Sequence, residues 1–314
     1  MKLVVVVPFL NEEQYLPHLL ESVASQTRSP TGLLLVDDGS IDGSRGIAEM
    51  FARQHSYARV LVRPVRPRER DRLVKAAELH AFQWAVEQVD GPWDVVAKLD
   101  ADLLLTPGVF SSVVQQFEAD PRLGMTGPYL SVQRQGKQAV RQRCPAGHVE
   151  GEITFYRRRC YEQISPLPAI LGWDTIDEVR ARMQGWRTAT FEVPGGDPVH
   201  LRRMGSQDGL LRGYRRAGWA AYGYGSSPVL VLLGATNRLR DPPLGFAGAN
   251  FLLGWMAAAL QKQDRAEPEL RKFVRQEQRR RIGRLLSQLS RGVLPDGAAK
   301  GVSRHRPAQF PPSR

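Results

Sequence analysis

Two cysteines, Cys144 and Cys160, are all that the 314 residues contain. Neither has a second cysteine at C-x2-C spacing, so a disulfide framework and a zinc knuckle are unsupported, and a reducing, cytoplasmic setting is expected. No G-x-G-x-x-G follows the first apolar run, which argues against dinucleotide dehydrogenase chemistry. The same position holds P-F-L-N-E-E rather than the glycine-rich basic loop of a nucleotidyltransferase. No targeting segment is expected either, since Asn11, Glu12 and Glu13 stop the opening apolar run early. Acidic residues are in deficit, with 44 Lys/Arg against 32 Asp/Glu and a net charge of +12. The deficit is local. Residues 261–314 hold 14 basic and 5 acidic side chains, which leaves only +3 on the rest. The body is therefore not expected to bind nucleic acid, and the tail suits a solvated segment or peripheral contact with an anionic membrane.

What is present is an alternation of short apolar strands and helical patterns. Leu3–Val7, Leu33–Val36, Arg59–Val62 and Trp93–Leu99 read as strands. Glu12–Gln26, Ile41–Phe51 and Leu73–Val89 read as helices, with a loop at 63–72. Such alternation predicts an α/β fold, a single mostly parallel Rossmann-like sheet flanked by helices. Farther on, Thr175–Gln184 is expected to be helical and Thr188–Val193 a strand. Residues 219–237 and 242–261 carry no charge and approach membrane-spanning length, yet Pro228, Asn237, Pro242, Pro243 and Asn250 interrupt them. Interfacial or docked helices are the better expectation. A charged helix from Glu267 to Arg291 follows, and the tail beyond it reads as disordered.

Two acidic clusters fall at strand ends, where ligands of parallel sheets bind. In Asp100-Ala101-Asp102 the carboxylates are two residues apart and point the same way on extended backbone, so one cation can bridge them. Mg2+ or Mn2+ suits such oxygen ligands and leaves positions open for phosphate. Asp37 and Asp38 precede Gly39-Ser40, a pattern equally suited to holding a ribose or capping a turn, and Asn11 carries the same ambiguity. Around the start of the 175–184 helix, Asp174, Asp177 and Glu178 offer a general base, or simply first-turn charge with Asp174 as cap. Local physics does not choose. His200 is a candidate metal ligand or phosphate contact, and Arg157–Arg159 a phosphate contact or a solvated face.

Four segments together carry a resemblance: V-V-V-V-P-F-L-N-E-E at 4–13, V-D-D-G-S-I-D at 36–42, K-L-D-A-D at 98–102 and G-W-D-T-I-D-E-V at 172–179. In order and spacing the chain resembles an inverting family 2 glycosyltransferase of GT-A fold over roughly residues 1–260. That resemblance implies sugar transfer from a UDP-, GDP- or dTDP-sugar to a glycan or lipid-linked glycan. It places Pro8, Asn11, Glu13, Asp37, Asp38, Lys98, Asp100 and Arg158 around the donor. It gives Asp100, Asp102 and His200 to Mn2+ or Mg2+. Counting back from Gly185 makes Asp174 the base, with Asp177 in reserve and Trp173 where the family has Glu. G-H-V-E-G at 147–151 resembles the segment lining the donor-sugar and acceptor groove. The implied organisation is a nucleotide-sugar-binding catalytic domain at 1–218, a helical, membrane-associated extension at 219–291 and a basic tail at 292–314. A binding scaffold without catalysis is the competing expectation.

Overall fold

The computed structural model describes residues 1–64, 76–134, 137–142, 144, 147–202, 209–241 and 243–290. Leu3–Phe9 forms β1, a run buried at every position, as expected of a strand covered on both faces. Around it lie β2 (Gly32–Asp37), β3 (Ala58–Val62), β4 (Val95–Leu99), β6 (Leu123–Pro128), β9 (Ile153–Arg157) and β10 (Arg187–Phe191). The sheet order is β10-β6-β9-β4-β1-β2-β3. All pairings are parallel except those of β9, which runs antiparallel to β4 and β6. The expected mostly parallel sheet is there, with β9 as the exception. Side chains alternate between two cores, Leu3, Val5 and Val7 facing one and Val4 and Val6 the other.

The chain runs outward from β1 through β2 to β3, then returns to place β4 on the other side of β1. This reversal makes the carboxyl ends of β1 and β4 a topological switch point, where ligands of open α/β sheets bind. A second sheet, β5-β11-β7-β8, stands beside it, built from β5 (Leu103–Leu104), β7 (Ser131–Arg134), β8 (Lys137–Arg141) and β11 (Val199–His200).

Helix bounds depart from expectation where a local turn competes. The first helix, α1, begins at Leu16 and ends at Ala24, because Asn11 is left-handed (φ 55°) and the Glu12 carbonyl closes a turn on the amides of Tyr15 and Leu16. The second, α2, spans Ser44–Gln54, after the Asp42 carboxylate has taken the Ser44 amide and hydroxyl. Ala77–Val86 forms α3, and the expected loop at 63–72 and first residues of that helix lie largely outside the described residues. Val109–Ala119 is α4 and Arg158–Ile164 is α5. The helix expected at Thr175 starts earlier: α6 runs Trp173–Met183, entered through Gly172 at φ 86°. Asp174 is therefore inside the first turn and not its cap.

Four helices complete the described chain: α7 (Leu210–Gly223), α8 (Pro228–Arg238), α9 (Phe246–Leu260) and α10 (Pro268–Ser290). The uncharged stretch at 219–237 is split between α7 and α8 by a turn through Gly225 (φ 82°). No described helix is long and apolar enough to cross a membrane. The expected division after residue 218 falls within α7, and the basic tail lies outside the described residues.

Candidate active site

Parallel pairing brings the carboxyl ends of β1, β2 and β4 to one edge, and with them the expected residues. Asn11, Glu13, Asp37 and Asp38 are knitted together there. The Asn11 amide donates to Ser40 Oγ at 3.1 Å and its side-chain oxygen accepts from the Ile41 amide at 2.9 Å. Glu13 Oε2 accepts from the Gly43 amide at 2.8 Å. Asp37 is fully buried, taking the amides of Gly39 and Ser40 and, at 2.6 Å, Arg45 Nε. These bonds shape the turn. Asp38 pairs with the buried Arg63 at 2.5 Å. Pro8 stands opposite Val36 in the β1–β2 ladder.

Asp102 and His200 are 98 positions apart and meet because β11 pairs antiparallel with β5, opposing His200 to Leu103. Single donor atoms of Asp100, Asp102 and His200 all lie within 4.8 Å of one another. His200 Nε2 is 3.1 Å from Asp102 Oδ2, while its buried Nδ1 has no partner among the described residues. Arg202 Nε donates to the same Asp102 oxygen at 2.7 Å and its terminal nitrogen to Glu12 Oε2 at 2.6 Å. Burial alone would raise the Asp102 pKa, but the hydrogen bonds and charges of His200 and Arg202 prevail and hold it down to about 2. Asp100 moves the other way, well above the usual carboxylate range, through burial and then the charge of Glu78. Two carboxylates and a histidine gathered at a crowded strand end form a hard donor set that fits Mg2+ or Mn2+.

Lys98 lies at the centre. It is 2% exposed, and its three donors go to Glu78, to Asp100 Oδ1 at 2.5 Å and to the Gly151 carbonyl at 2.8 Å. Its ammonium also lies 5.5 Å from the centre of the Trp173 ring. Burial would lower its pKa, yet Asp100 and Glu78 raise it instead, so it stays charged. With no donor to spare, it positions its neighbours. Gly151 touches the expected base: a Cβ there would stand 2.7 Å from Asp174 Oδ2. Lys98 thus ties the D-x-D segment to the loop against which Asp174 rests.

The three acids of α6 separate clearly. Asp174 is partly exposed, and burial followed by the Glu152 charge raises its pKa. Asp177 is 1% exposed and accepts from Tyr156 Oη at 2.5 Å. Glu178, also buried, takes the Val149 amide at 2.7 Å and His148 Nδ1 at 2.8 Å. Asp177 and Glu178, which one reading took simply as first-turn charge, are therefore buried and hydrogen-bonded to other segments. Burial would lower the His148 pKa, but Glu178 raises it to about 9. Beside it Glu150, 4% exposed with Oε1 unpartnered among the described residues, is lifted to about 7 by burial and then by Glu152. Arg158 is not brought here. It begins α5 at the opposite end of β4, over the Trp93 ring and paired with Glu162. Sequence reasoning gave no role to Glu12, Glu78 or Arg202. Glu12 and Arg202 flank recognised residues, whereas Glu78 has no local signal and is placed only by the packing of α3.

Residues 4–170, more than half of the chain, match the family described as Glycosyl transferase family 2. A cholesterol galactosyltransferase of Borreliella burgdorferi is 34% identical over 59 residues, 19% of this chain and 16% of that protein. An uncharacterised glycosyltransferase of Nostoc sp. is 29% identical over 125 residues, 40% of this chain and 35% of that one. The matches thus span about a third or less of these curated relatives' length. Among solved structures, the mannosyltransferase PcManGT from Pyrobaculum calidifontis, in complex with GDP-Man and Mn2+, superposes with a TM-score of 0.52 at 17% identity, covering 93% of this chain and 82% of its own. GalNAc-T7 with UDP, GalNAc and Mn2+ gives a TM-score of 0.54 at 13% identity, covering 83% and 57%. At these identities the likeness is one of fold, the GT-A arrangement.

Proposed function

The chain belongs to glycosyl transferase family 2, and on that premise we propose that it transfers a sugar from a nucleotide-diphosphate donor to an acceptor hydroxyl with inversion. The observation that carries this reading is the Asp100–Asp102–His200 cluster at the switch point between the carboxyl ends of β1 and β4. Mg2+ or Mn2+ held by those residues would neutralise the diphosphate as it leaves. The nucleotide lies against the loops after β1 and β2, between Asn11, Glu13 and Asp38. Arg202, already shared by Asp102 and Glu12, is a cation within reach of phosphate oxygens.

Asp174 is the base. Its carboxylate takes the proton of the acceptor hydroxyl while the acceptor oxygen bonds to the anomeric carbon and the bond from that carbon to the diphosphate oxygen breaks. The nucleoside diphosphate carries the electron pair away. Asp100 and Asp102 are committed to the leaving-group side, so the base comes from another segment, and Asp174 is the more exposed of the α6 aspartates. Burial and the Glu152 charge raise its pKa, which makes its carboxylate a stronger proton acceptor than a free aspartate. The acceptor is a glycan or lipid-linked glycan, and the enzyme works at the inner face of the cell membrane as a peripheral protein.

A donor screen tests the reading. UDP-, GDP- and dTDP-sugars are assayed for turnover and for thermal protection, with Mn2+ and with excess chelator. One donor is expected to respond, and only with metal, and Asp102→Ala is expected to lose at least tenfold in metal-dependent donor binding. Turnover undiminished by chelator overturns the metal assignment, and binding without turnover favours the scaffold.

A further inference from the structure

The C-terminal helices pack in an unusual sense. Where α7 meets α9, the touching residues are glycines: a Cβ on Gly218 would stand 2.0 Å from the Phe251 carbonyl oxygen, and one on Gly254 2.0 Å from that of Arg215. Where α8 meets α9, a Cβ on Gly248 would stand 2.3 Å from the Ala235 carbonyl oxygen. Backbones approach this closely only through small residues, and few large side chains remain inside. Phe251 and Val231 are buried with Tyr224, Leu252 and Trp255 packed against them, whereas many other large side chains point outward. On α8, Val229, Leu232 and Leu233 are 55–61% exposed. Leu244 and Phe246 between the helices are 72% and 63% exposed. On α9, Leu253, Met256 and Leu260 are 51–82% exposed. The outward positions of α9 are Phe246, Ala249, Leu253, Met256 and Leu260, without one polar group. A helix apolar all round belongs in a core or in lipid, yet α9 has only 15 residues, about 22 Å, too short for a bilayer core of about 30 Å.

We propose that the outward face of α8 and α9 lies in the headgroup layer of an anionic membrane. The inference rests on the peripheral location argued above and names the surface that makes it. Charge supports this occupant. Between Gly209 and Gln263 the chain carries Arg212, Arg215, Arg216, Arg238, Arg240 and Lys262 against a single acid, Asp241. Arg212, Arg215, Arg240 and Lys262 are exposed. Arg240 follows α8 and Lys262 follows α9, so exposed cations flank the apolar helices, as fits an anionic lipid interface. The same charges disfavour a second copy, because a two-fold interface apposes the same patch to itself and would set these cations near one another with one acid per chain to offset them. An acceptor carried on a lipid would then be met at the surface where it resides.

The test is flotation of the full chain with vesicles of pure phosphatidylcholine and of phosphatidylcholine with phosphatidylglycerol, at low and high salt. Binding to the anionic vesicles at low salt is expected. Leu232→Glu with Leu233→Glu, and separately Leu253→Glu with Met256→Glu, are each expected to weaken it at least tenfold. These side chains are exposed, so each variant should keep its melting temperature and its Mn2+-dependent donor protection in solution. Three results overturn the proposal: no binding to either vesicle; binding that the leucine variants leave intact, which assigns it to the basic tail; or a dimer by light scattering that the same variants dissolve. Donor protection is measured without vesicles, so failure here leaves the transferase reading standing, and its failure leaves this one.

Discussion

The two halves of the molecule break the ordinary rule of folding in water in opposite ways. Around the main sheet, charge goes inside: Lys98 on β4, Asp102 and Glu150 in the loops, and Asp177 and Glu178 on α6 are all less than 6% exposed. In the C-terminal helices, apolar bulk goes outside, with Leu260 82% and Leu244 72% exposed while glycines fill the contacts. Each inversion costs free energy in isolation. Internal partners offset part of the first cost, as Tyr156 does for Asp177 and His148 for Glu178, whereas nothing among the described residues covers the exposed leucines. A residue placed against its own solvation preference thus points either to an internal partner or to a surface left for something else to cover.

That contrast can be broken experimentally. The largest effect is expected at Asp174. Asp174→Asn should bind donor and metal nearly normally while its transfer rate falls by about 10²–10⁴. Because burial and Glu152 raise the Asp174 pKa, kcat/KM of the unaltered enzyme should climb with pH through a range above the ordinary 3.8, and that limb should vanish in the variant. An unaltered rate in Asp174→Asn removes it as the base. Next is Lys98→Met, which removes a buried cation and leaves the partly buried Glu78 and Asp100 unpaired. A loss of about 3–5 kcal/mol in urea unfolding is expected, and a loss below 1 kcal/mol, on the scale of exposed pairs, would show that these charges are not effectively buried.

A smaller effect tests the helices. Gly218→Val drives a side chain into the Phe251 carbonyl and should destabilise the α7–α9 packing by about 1–3 kcal/mol. Mn2+-dependent donor protection should survive, and its joint loss would show that the two halves fold as one unit. The smallest effect on rate is expected at Asp177→Asn, within about threefold, far below the usual scale of general-base loss, since Asn still accepts from Tyr156. Its signature is in stability. Burial and Glu178 raise the folded pKa of Asp177 well above 3.8. Its stabilising contribution is therefore full below that pH and is lost as pH rises toward the folded pKa. Asp177→Asn should flatten the fall in melting temperature from about pH 4 upward, and an unchanged slope would refute the buried ionisation.

The sheet was legible because its strands are uniform apolar runs, and the site because parallel strands deliver their carboxyl ends to one edge. Leu3–Val7 and K-L-D-A-D both follow that logic. What could not be read depends on partners distant in sequence. Nothing near Asp177 announces the Tyr156 hydroxyl that makes it a core residue, and nothing near Glu78 announces Lys98. Arg158 misled through its neighbourhood: β9 runs antiparallel to β4, so Y-R-R lands at the far end of the strand that carries Asp100. The uncharged stretches were correctly read as non-spanning helices, but hydropathy along the chain does not tell which face of a helix meets its neighbour.

The pairing of β11 with β5 also sets an order of events at the ribosome. A nascent chain that has emerged through β4 and β5 exposes both aspartates of the D-x-D segment, but not His200 or Arg202, which follow about a hundred residues later. The amide of Leu201 closes on the Asp102 carbonyl only once β11 has arrived. Until then the acidic edge lacks its histidine and its arginine. Domains fold as units while synthesis proceeds. The Asp100–Asp102–His200 cluster is therefore expected to be complete only after β11 has paired with β5.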